Sequence, residues 1–286
     1  MLVVIVREIR GVRYVGFALS FLLSWYLTTS LGLTSPVSFQ QVIERSTAVA
    51  DKVIHYGDAE SQFIELYLAE STVHNDAPLV VYIHGGCWQN TFGVDHARGF
   101  AEGLSAAGFA VALVEYRRLG DEGGGWPGSL DDILQALELL TNTQDTGFQP
   151  RNITLVGHSA GGHLALLASQ PQQRLPIRGV IGLAAITDIE AYAAGASGCQ
   201  QAGANFLATA PDQAQVMNPA KQSRHSFVFL LRGDQDTIVG IEQQQLDGAE
   251  VVDIPGAGHF DLIHPDTEAF EQVLETIRNL YPELTR

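Results

Sequence analysis

The sequence predicts an α/β fold in which a mostly parallel, doubly wound sheet is covered by helices on both faces. Two observations lead to this prediction. Apolar runs of strand length alternate with amphipathic segments of helical length, and most of the apolar runs are continuous. Continuous Val, Ile, Leu and Phe runs are typical of strands that are buried on both faces. A chain of 286 residues, 46% of them hydrophobic, is large and apolar enough to bury such a sheet.

The segments of strand and helix type follow one another in order along the chain. The predicted strands are residues 63–69, 79–84, 109–116, 153–157, 180–185, 227–232 and 250–254. The predicted helices are residues 95–107, 130–141, 160–169 and 265–280. Pro265 suits a first helical turn, where its missing N–H costs nothing. Residues 188–226 interrupt the alternation and are too long for an ordinary connection, so we interpret them as a small cap within one domain, residues 34–286.

The first 33 residues have a different character. Arg7, Arg10 and Arg13 precede an apolar run over residues 14–33, which is the layout of a signal peptide. The run is also about long enough to span a bilayer. We expect residues 1–33 to be a signal peptide or a membrane anchor, and the domain to lie outside the cytoplasm, on the periplasmic or extracellular side.

Charge and cysteine content exclude several classes of protein. A formal charge of −16, with no basic stripe, excludes nucleic acid as a partner. Cys87 and Cys199 lack the paired spacing of a zinc site, and we expect no metal ion. The two thiols are either free or, in an exported protein, joined in a disulfide; the sequence leaves both open.

The strongest motif is G-x-S-x-G at residues 157–161, centred on Ser159. It follows an apolar strand and opens an Ala- and Leu-rich helix, which is the context of a nucleophile elbow. A sharp strand-to-helix turn exposes the serine hydroxyl, and the N-terminus of the helix favours developing negative charge. We therefore predict that Ser159 is a nucleophile.

A second motif, HGGCW at residues 84–88, follows the strand 79–84. Two glycines in such a loop allow backbone N–H groups to converge on an oxyanion. The expected donors are the amides of Gly86, Cys87 and Ala160. The alternative is that the glycines form only a tight turn.

A serine nucleophile needs a base, and the base needs a group that orients it. His259 and Asp236 both follow predicted strands and come after the serine in the order Ser, Asp, His. Asp234 is the main alternative for the acid, and Asp253 and Asp261 are the next alternatives after it. Trp88, Trp126 and Phe260 are the candidate walls of the substrate pocket.

Together these motifs resemble the α/β-hydrolase superfamily, in particular the branch that holds kynurenine formamidases and the hormone-sensitive-lipase-like esterases. The resemblance rests on HGG-x-W paired with GHSAGGH at residues 157–163. It implies a triad of Ser159, Asp236 and His259, with the three amides named above as the oxyanion hole. Cys87 stands where the lipase-like subgroup usually has a third glycine, which points towards the formamidase side.

The sequence thus predicts a serine hydrolase that cleaves small carboxylic esters through an acyl-enzyme, without a metal or organic cofactor. Its partners would be small-molecule esters or amides, with the N-terminal segment as a membrane tether if it is retained. The main alternative is an arylformamidase acting on N-formylkynurenine, because both reactions pass through a tetrahedral oxyanion. A noncatalytic binding protein with the same fold is the third hypothesis.

Overall fold

The computed structural model describes residues 35–70, 77–143 and 147–285. The predicted signal peptide or anchor, residues 1–33, lies outside these ranges. Within the ranges described, no helix has both the length and the apolar character needed to cross a membrane.

An eight-stranded sheet forms the centre of this part of the chain, with the strand order β1-β2-β4-β3-β5-β6-β7-β8. The strands are β1 Lys52–His55, β2 Phe63–Tyr67, β3 Ala77–Ile83, β4 Ala110–Val114, β5 Phe148–His158, β6 Ile177–Leu183, β7 Val228–Gly233 and β8 Glu250–Ile254. β2 runs antiparallel to β1 and to β4, and the strands from β4 to β8 are parallel. The prediction of a mostly parallel sheet is confirmed.

All seven predicted strands are present, and the structure adds β1. This strand lies at the edge of the sheet and is largely exposed, so it has no continuous apolar run that would reveal it. It is held by antiparallel pairing, with Lys52 opposite Leu66. β3 and β4, by contrast, are buried along their whole length, as their apolar sequences predict.

The helices cover both faces of the sheet. They are α1 Phe39–Arg45, α2 Arg98–Ala106, α3 Gly128–Asn142, α4 Ala160–Ala168, α5 Ile189–Ala193, α6 Gly198–Ala208 and α7 Glu268–Asn279. The four predicted helices correspond to α2, α3, α4 and α7. The sequence analysis did not predict α1, although Ser38 and Gln41 form the capping box that marks its start.

The start of α7 differs from the prediction. Pro265 was expected in the first helical turn, but the helix begins at Glu268. Thr267 is the N-cap, and its hydroxyl oxygen accepts a hydrogen bond from the Phe270 N–H at 3.1 Å. A side chain that satisfies one of the free N–H groups of the first turn fixes the helix start here, three residues after the proline.

The predicted cap, residues 188–226, contains α5 and α6 followed by two short 3-10 turns. Asp188 is the N-cap of α5, and its side chain accepts a hydrogen bond from the Ala191 N–H at 3.1 Å. Helix α6 packs on the loop that follows β3, because Phe206 stacks on Trp88 at a centroid distance of 5.5 Å. The segment therefore lies beside the carboxyl end of the central strand.

Candidate active site

Ser159 occupies the turn between β5 and α4. Its φ of 55° lies in the left-handed region, which a serine adopts only when its surroundings enforce it. The Ser159 N–H donates to the Leu183 carbonyl of β6 at 2.9 Å, and the Ser159 carbonyl accepts from the His163 N–H at 3.1 Å. Backbone hydrogen bonds to the neighbouring strand and helix thus hold the serine at the end of the sheet.

Gly161 allows α4 to approach the end of β3. A Cβ at this position would lie 2.2 Å from the carbonyl oxygen of Ile83 and 2.3 Å from that of His84. Since real Cβ atoms do not come so close to backbone oxygens, only glycine fits. The second glycine of the G-x-S-x-G motif therefore sets the distance between the elbow and the loop after β3.

His259 and Asp236 form a direct pair. His259 Nδ1 lies 2.7 Å from Asp236 Oδ2, and the Asp236 side chain is fully buried. Asp236 Oδ1 accepts hydrogen bonds from the amides of Ile238 at 2.8 Å and Val239 at 2.9 Å. Burial raises the pKa of Asp236, but the His259 ring and the two amides outweigh it, and its pKa lies below the usual value. Asp236 is therefore ionised and able to hold the ring with Nδ1 protonated.

The other candidate acids have different partners. Asp234 is exposed, and its Oδ1 accepts from the Gly256 N–H at 2.8 Å. Asp253 pairs with Arg232 at 3.0 Å. Asp261 accepts from the Gly258 N–H at 2.9 Å. Each of these carboxylates thus fixes a nearby loop or strand, and the structure places Asp236 beside the histidine.

The loop after β3 carries three consecutive residues with positive φ: Gly86 at 109°, Cys87 at 55° and Trp88 at 56°. A residue other than glycine in this region costs about 1–3 kcal/mol. The loop passes next to the nucleophile, because a Cβ on Gly85 would lie 3.2 Å from Ser159 Cβ. The proposed oxyanion loop is therefore both strained and adjacent to the serine.

Cys87 and Cys199 form a disulfide. Their Cα atoms are 5.0 Å apart, within the usual range for such a bridge, and 112 residues separate them in the sequence. Of the two states that the sequence left open, the structure has the bridged one. The bridge joins the loop after β3 to the first turn of α6.

Ser159 and His259 lie on the wall of one cavity of about 250 Å³. Among the residues that the structure describes, its wall is mainly apolar and contains no aspartate, glutamate, lysine or arginine. The remaining lining residues are Phe39, Gly86, Cys87, Phe92, His96, His158, Cys199, Ile238 and Phe260. Phe39 contributes from α1, where its ring lies 5.5 Å from that of Phe260.

Of the three residues predicted to form the pocket, Phe260 lies on this wall and the two tryptophans do not. Trp88 is fully buried, and its Nε1 donates to His163 Nδ1 at 3.3 Å. Trp126 donates from Nε1 to Gln213 Oε1 at 2.7 Å and from its backbone N–H to Thr209 Oγ1 at 3.0 Å. Both tryptophans thus face the predicted cap rather than the cavity.

Sequence reasoning missed Phe39, Phe92, Ile238 and the wall positions of His96 and Cys199. Phe39 lies in α1, which the capping box at Ser38 could have revealed. Nothing in the local sequence of Phe92 or Ile238 indicates which way these side chains point.

Three histidines near the site are buried and uncharged. Burial lowers the pKa of His96 to about 3 and that of His163 to about 4. Burial, with the neighbouring His259, also lowers the pKa of His158 well below its usual value. His158 Nε2 lies 3.0 Å from the His259 carbonyl oxygen, so its ring supports the loop that carries the base. In the described ranges, no three His, Cys, Asp or Glu side chains are grouped so that they could hold a metal ion.

This fold, with serine, histidine and aspartate at the carboxyl ends of β5, β8 and β7, defines an α/β-hydrolase. The fold is similar to that of esterase B from Lactobacillus rhamnosis, with a TM-score of 0.71 and 20% identity over 84% of this chain and 90% of that one. The chain belongs to the BD-FAE family, whose sequence model matches residues 64–247.

Two curated relatives carry different activities in their names. Esterase LipC of Mycobacterium tuberculosis is 26% identical over 246 residues, which is 73% of this chain and 59% of LipC. Kynurenine formamidase of Danio rerio is 31% identical over 127 residues, 43% of this chain and 41% of the formamidase. The chain thus spans less than two thirds of the length of each.

Proposed function

We propose that this protein is a serine hydrolase that cleaves small, uncharged carboxylic esters through an acyl-enzyme. The observation that carries the proposal is the His259–Asp236 pair, with the histidine and Ser159 on the wall of the same apolar cavity. LipC is named an esterase, which supports the ester class. A noncatalytic role would leave unexplained why a buried, ionised carboxylate orients a histidine beside a strained serine.

In the proposed mechanism, His259 takes the proton of Ser159 as the hydroxyl attacks the ester carbonyl. Asp236 stabilises the imidazolium that forms. The amides of Gly86, Cys87 and Ala160 would bind the oxyanion, with the N-terminus of α4 adding a favourable dipole. His259 then protonates the leaving alkoxide, and water hydrolyses the acyl-enzyme by the same steps.

The cavity favours an uncharged substrate. N-formylkynurenine carries a carboxylate and an ammonium group, and a carboxylate is usually bound by arginine or lysine. Within the described part of the chain, no arginine or lysine side chain lines the cavity. The volume of about 250 Å³ suits a short acyl chain. The formamidase remains the second candidate because of the Danio rerio relative.

We also propose that the domain acts outside the cytoplasm, either released after cleavage or tethered by residues 14–33. The Cys87–Cys199 disulfide supports this, because disulfides persist mainly in oxidising compartments. Cell fractionation combined with N-terminal sequencing tests it: intact protein in the cytoplasmic fraction would contradict the proposal.

The function is tested on purified enzyme lacking residues 1–33. We expect kcat/KM for p-nitrophenyl butyrate to exceed that for N-formylkynurenine, and a p-nitrophenyl alkylphosphonate to label Ser159. Ser159→Ala should abolish both turnover and labelling while leaving the fold intact. Ser223→Ala, which changes an exposed serine in the predicted cap, is the control.

Two results would overturn the proposal. Near-normal turnover by Ser159→Ala would exclude the serine mechanism altogether. A tenfold higher kcat/KM for N-formylkynurenine, about 1.4 kcal/mol of transition-state free energy, would show that the protein is an arylformamidase instead.

A further inference from the structure

We propose that the Cys87–Cys199 disulfide positions the oxyanion loop, so that Cys199, which lies outside the triad, sets the turnover rate through the backbone amide of Cys87. The inference rests on the proposed ester hydrolysis. It adds to that function a positioning residue on α6 and a dependence of kcat on the redox state of the bridge.

The first observation is the conformation of the loop. Cys87 and Trp88 both have left-handed φ values, and neither is a glycine. Such conformations persist only where the surroundings over-determine them. Unlike Gly86, these two residues would relax to negative φ if released, and this would turn the Cys87 N–H away from its present direction.

The second observation is that helix α6 holds both of these residues. Cys87 is bonded to Cys199 in the first turn of the helix. One turn further along, a Cβ on Gly203 would lie 3.4 Å from the Trp88 ring, so the helix backbone runs against the tryptophan. Phe206 of the same helix stacks on the Trp88 ring. The helix therefore restrains the strained pair at two points, one covalent and one by packing.

The third observation concerns access. Both half-cystines line the cavity, and neither residue is fully buried. A small dithiol can therefore reach the bridge from the cavity. One thiolate of the dithiol attacks one sulfur of the bridge, which forms a mixed disulfide and releases the other protein sulfur as a thiolate. The second thiol of the dithiol then attacks the dithiol sulfur of the mixed disulfide and expels the remaining protein sulfur as a thiolate. The dithiol is oxidised to a cyclic disulfide, and Cys87 and Cys199 are reduced to two thiols.

Opening the bridge removes the covalent restraint on Cys87 and leaves both sulfur atoms on the wall. The shape of the apolar cavity changes little, so binding of the ground state should be preserved. The oxyanion exists only in the transition state and intermediates, and removing one donor from an oxyanion hole lowers kcat by about 10²–10³-fold. Reduction of the bridge loosens the Cys87 donor without removing it, so kcat should fall less than on deletion of a donor, by about tenfold or more.

The test compares oxidised wild type, wild type kept in dithiothreitol, and Cys199→Ser, all with p-nitrophenyl butyrate. We expect kcat to fall about tenfold or more in the reduced protein and in Cys199→Ser, with KM changed less than about threefold. The Ki of an alkyl trifluoromethyl ketone, which needs the oxyanion donors, should rise in parallel with the loss of kcat/KM. Reoxidation of the wild type should restore kcat, and dithiothreitol should not change Cys199→Ser.

Gly198→Ala is the matched control on the same helical turn. Gly198 is exposed, and a Cβ there meets nothing within 4 Å, so this variant should behave as wild type in both redox states. Far-UV circular dichroism follows the fold of every sample.

Several outcomes would overturn the inference. An unchanged kcat in the reduced wild type would do so, and so would a change in KM alone, which would make the bridge only a part of the wall. Loss of the far-UV signal on reduction would show that the disulfide stabilises the whole fold rather than positioning the oxyanion loop. Failure of the proposed function is a separate result: oxidised wild type would then neither turn over the ester nor bind the ketone.

Discussion

The two sides of the cavity are built in different ways. On the triad side, which we define as Ser159, Asp236 and His259 with their loops, each residue is held by groups close to a strand end. Ser159 donates its N–H to Leu183 at the end of the neighbouring strand, and Asp236 accepts from amides two and three residues further on.

The cap side consists of the loop from Gly86 to Trp88 with α6 and α1, and distant parts of the chain hold it together. Cys87 is bonded to a residue 112 positions away, and Phe39 reaches the cavity from α1. The triad is thus held mainly by nearby groups, while the oxyanion loop and the shape of the cavity depend on long-range contacts. The predictions below separate the two sides.

The largest effect is expected on the triad side, for Asp236→Asn. An asparagine favours the wrong histidine tautomer and cannot stabilise the imidazolium, so kcat should fall by about 10⁴-fold. Steady-state kinetics on the ester measure this. Asp234→Asn is the matched control, because the Asp234 side chain accepts from the Gly256 N–H and the Gln235 side-chain amide, and an amide oxygen can do the same. Its kcat should change less than about threefold. If Asp234→Asn were the more damaging variant, the assignment of the acid would be wrong.

On the cap side, Trp88→Ala should mainly reduce stability. Trp88 is fully buried under α6, and truncating a buried tryptophan lowers the free energy of unfolding by about 3–5 kcal/mol. Urea denaturation measures the change. Trp126→Ala, at a half-buried tryptophan that donates hydrogen bonds to Thr209 and Gln213 just past the end of α6, should cost clearly less. Equal losses would mean that packing under α6 does not hold the cap side.

The same division explains what the sequence could predict. Ser159 and His259 each lie in a short motif directly after a strand, and parallel strands bring such loops to one edge of the sheet. The choice of Asp236 over Asp234, two residues apart in one loop, depends on side-chain direction, which spacing does not reveal. Trp88 was placed on the wall by its motif, but the left-handed loop turns it under α6.

The rest of the cavity depends on tertiary contacts. Phe39 and Cys199 come from segments whose distance to the serine is set only when the sheet has formed. Whether the two cysteines are free or bridged could not be predicted from the sequence. It depends on the separation of their Cα atoms, which is set by the position of α6. An exposed edge strand such as β1 has no continuous apolar run, so its sequence does not reveal it even though its hydrogen-bonded partner is the next strand, β2.

The smallest effect concerns His96, a buried residue on the cavity wall whose ring meets that of Phe39 at 5.6 Å. Burial and the neighbouring His84 lower its pKa to about 3 in the folded protein, against about 6.5 in the unfolded chain. Between these values the unfolded chain binds a proton that the folded protein does not. Stability is therefore lost as the pH falls below about 6.5, by up to about 1.4 kcal/mol per pH unit.

We expect His96→Phe to flatten this dependence. Between pH 6 and pH 5, its free energy of unfolding should decline by about 1 kcal/mol less than that of the wild type, because one of the buried neutral histidines has been removed. Carboxylates with lowered pKa values, such as Asp236 and Glu115, lose their contribution only near pH 4 and below, so they do not obscure the comparison. Urea denaturation at the two pH values measures the difference, and His55→Gln, at an exposed histidine, is the control. Equal declines in wild type and His96→Phe would show that the ring of His96 gains access to water in the folded protein, and that the wall formed by His96 and Phe39 is more open than its packing indicates.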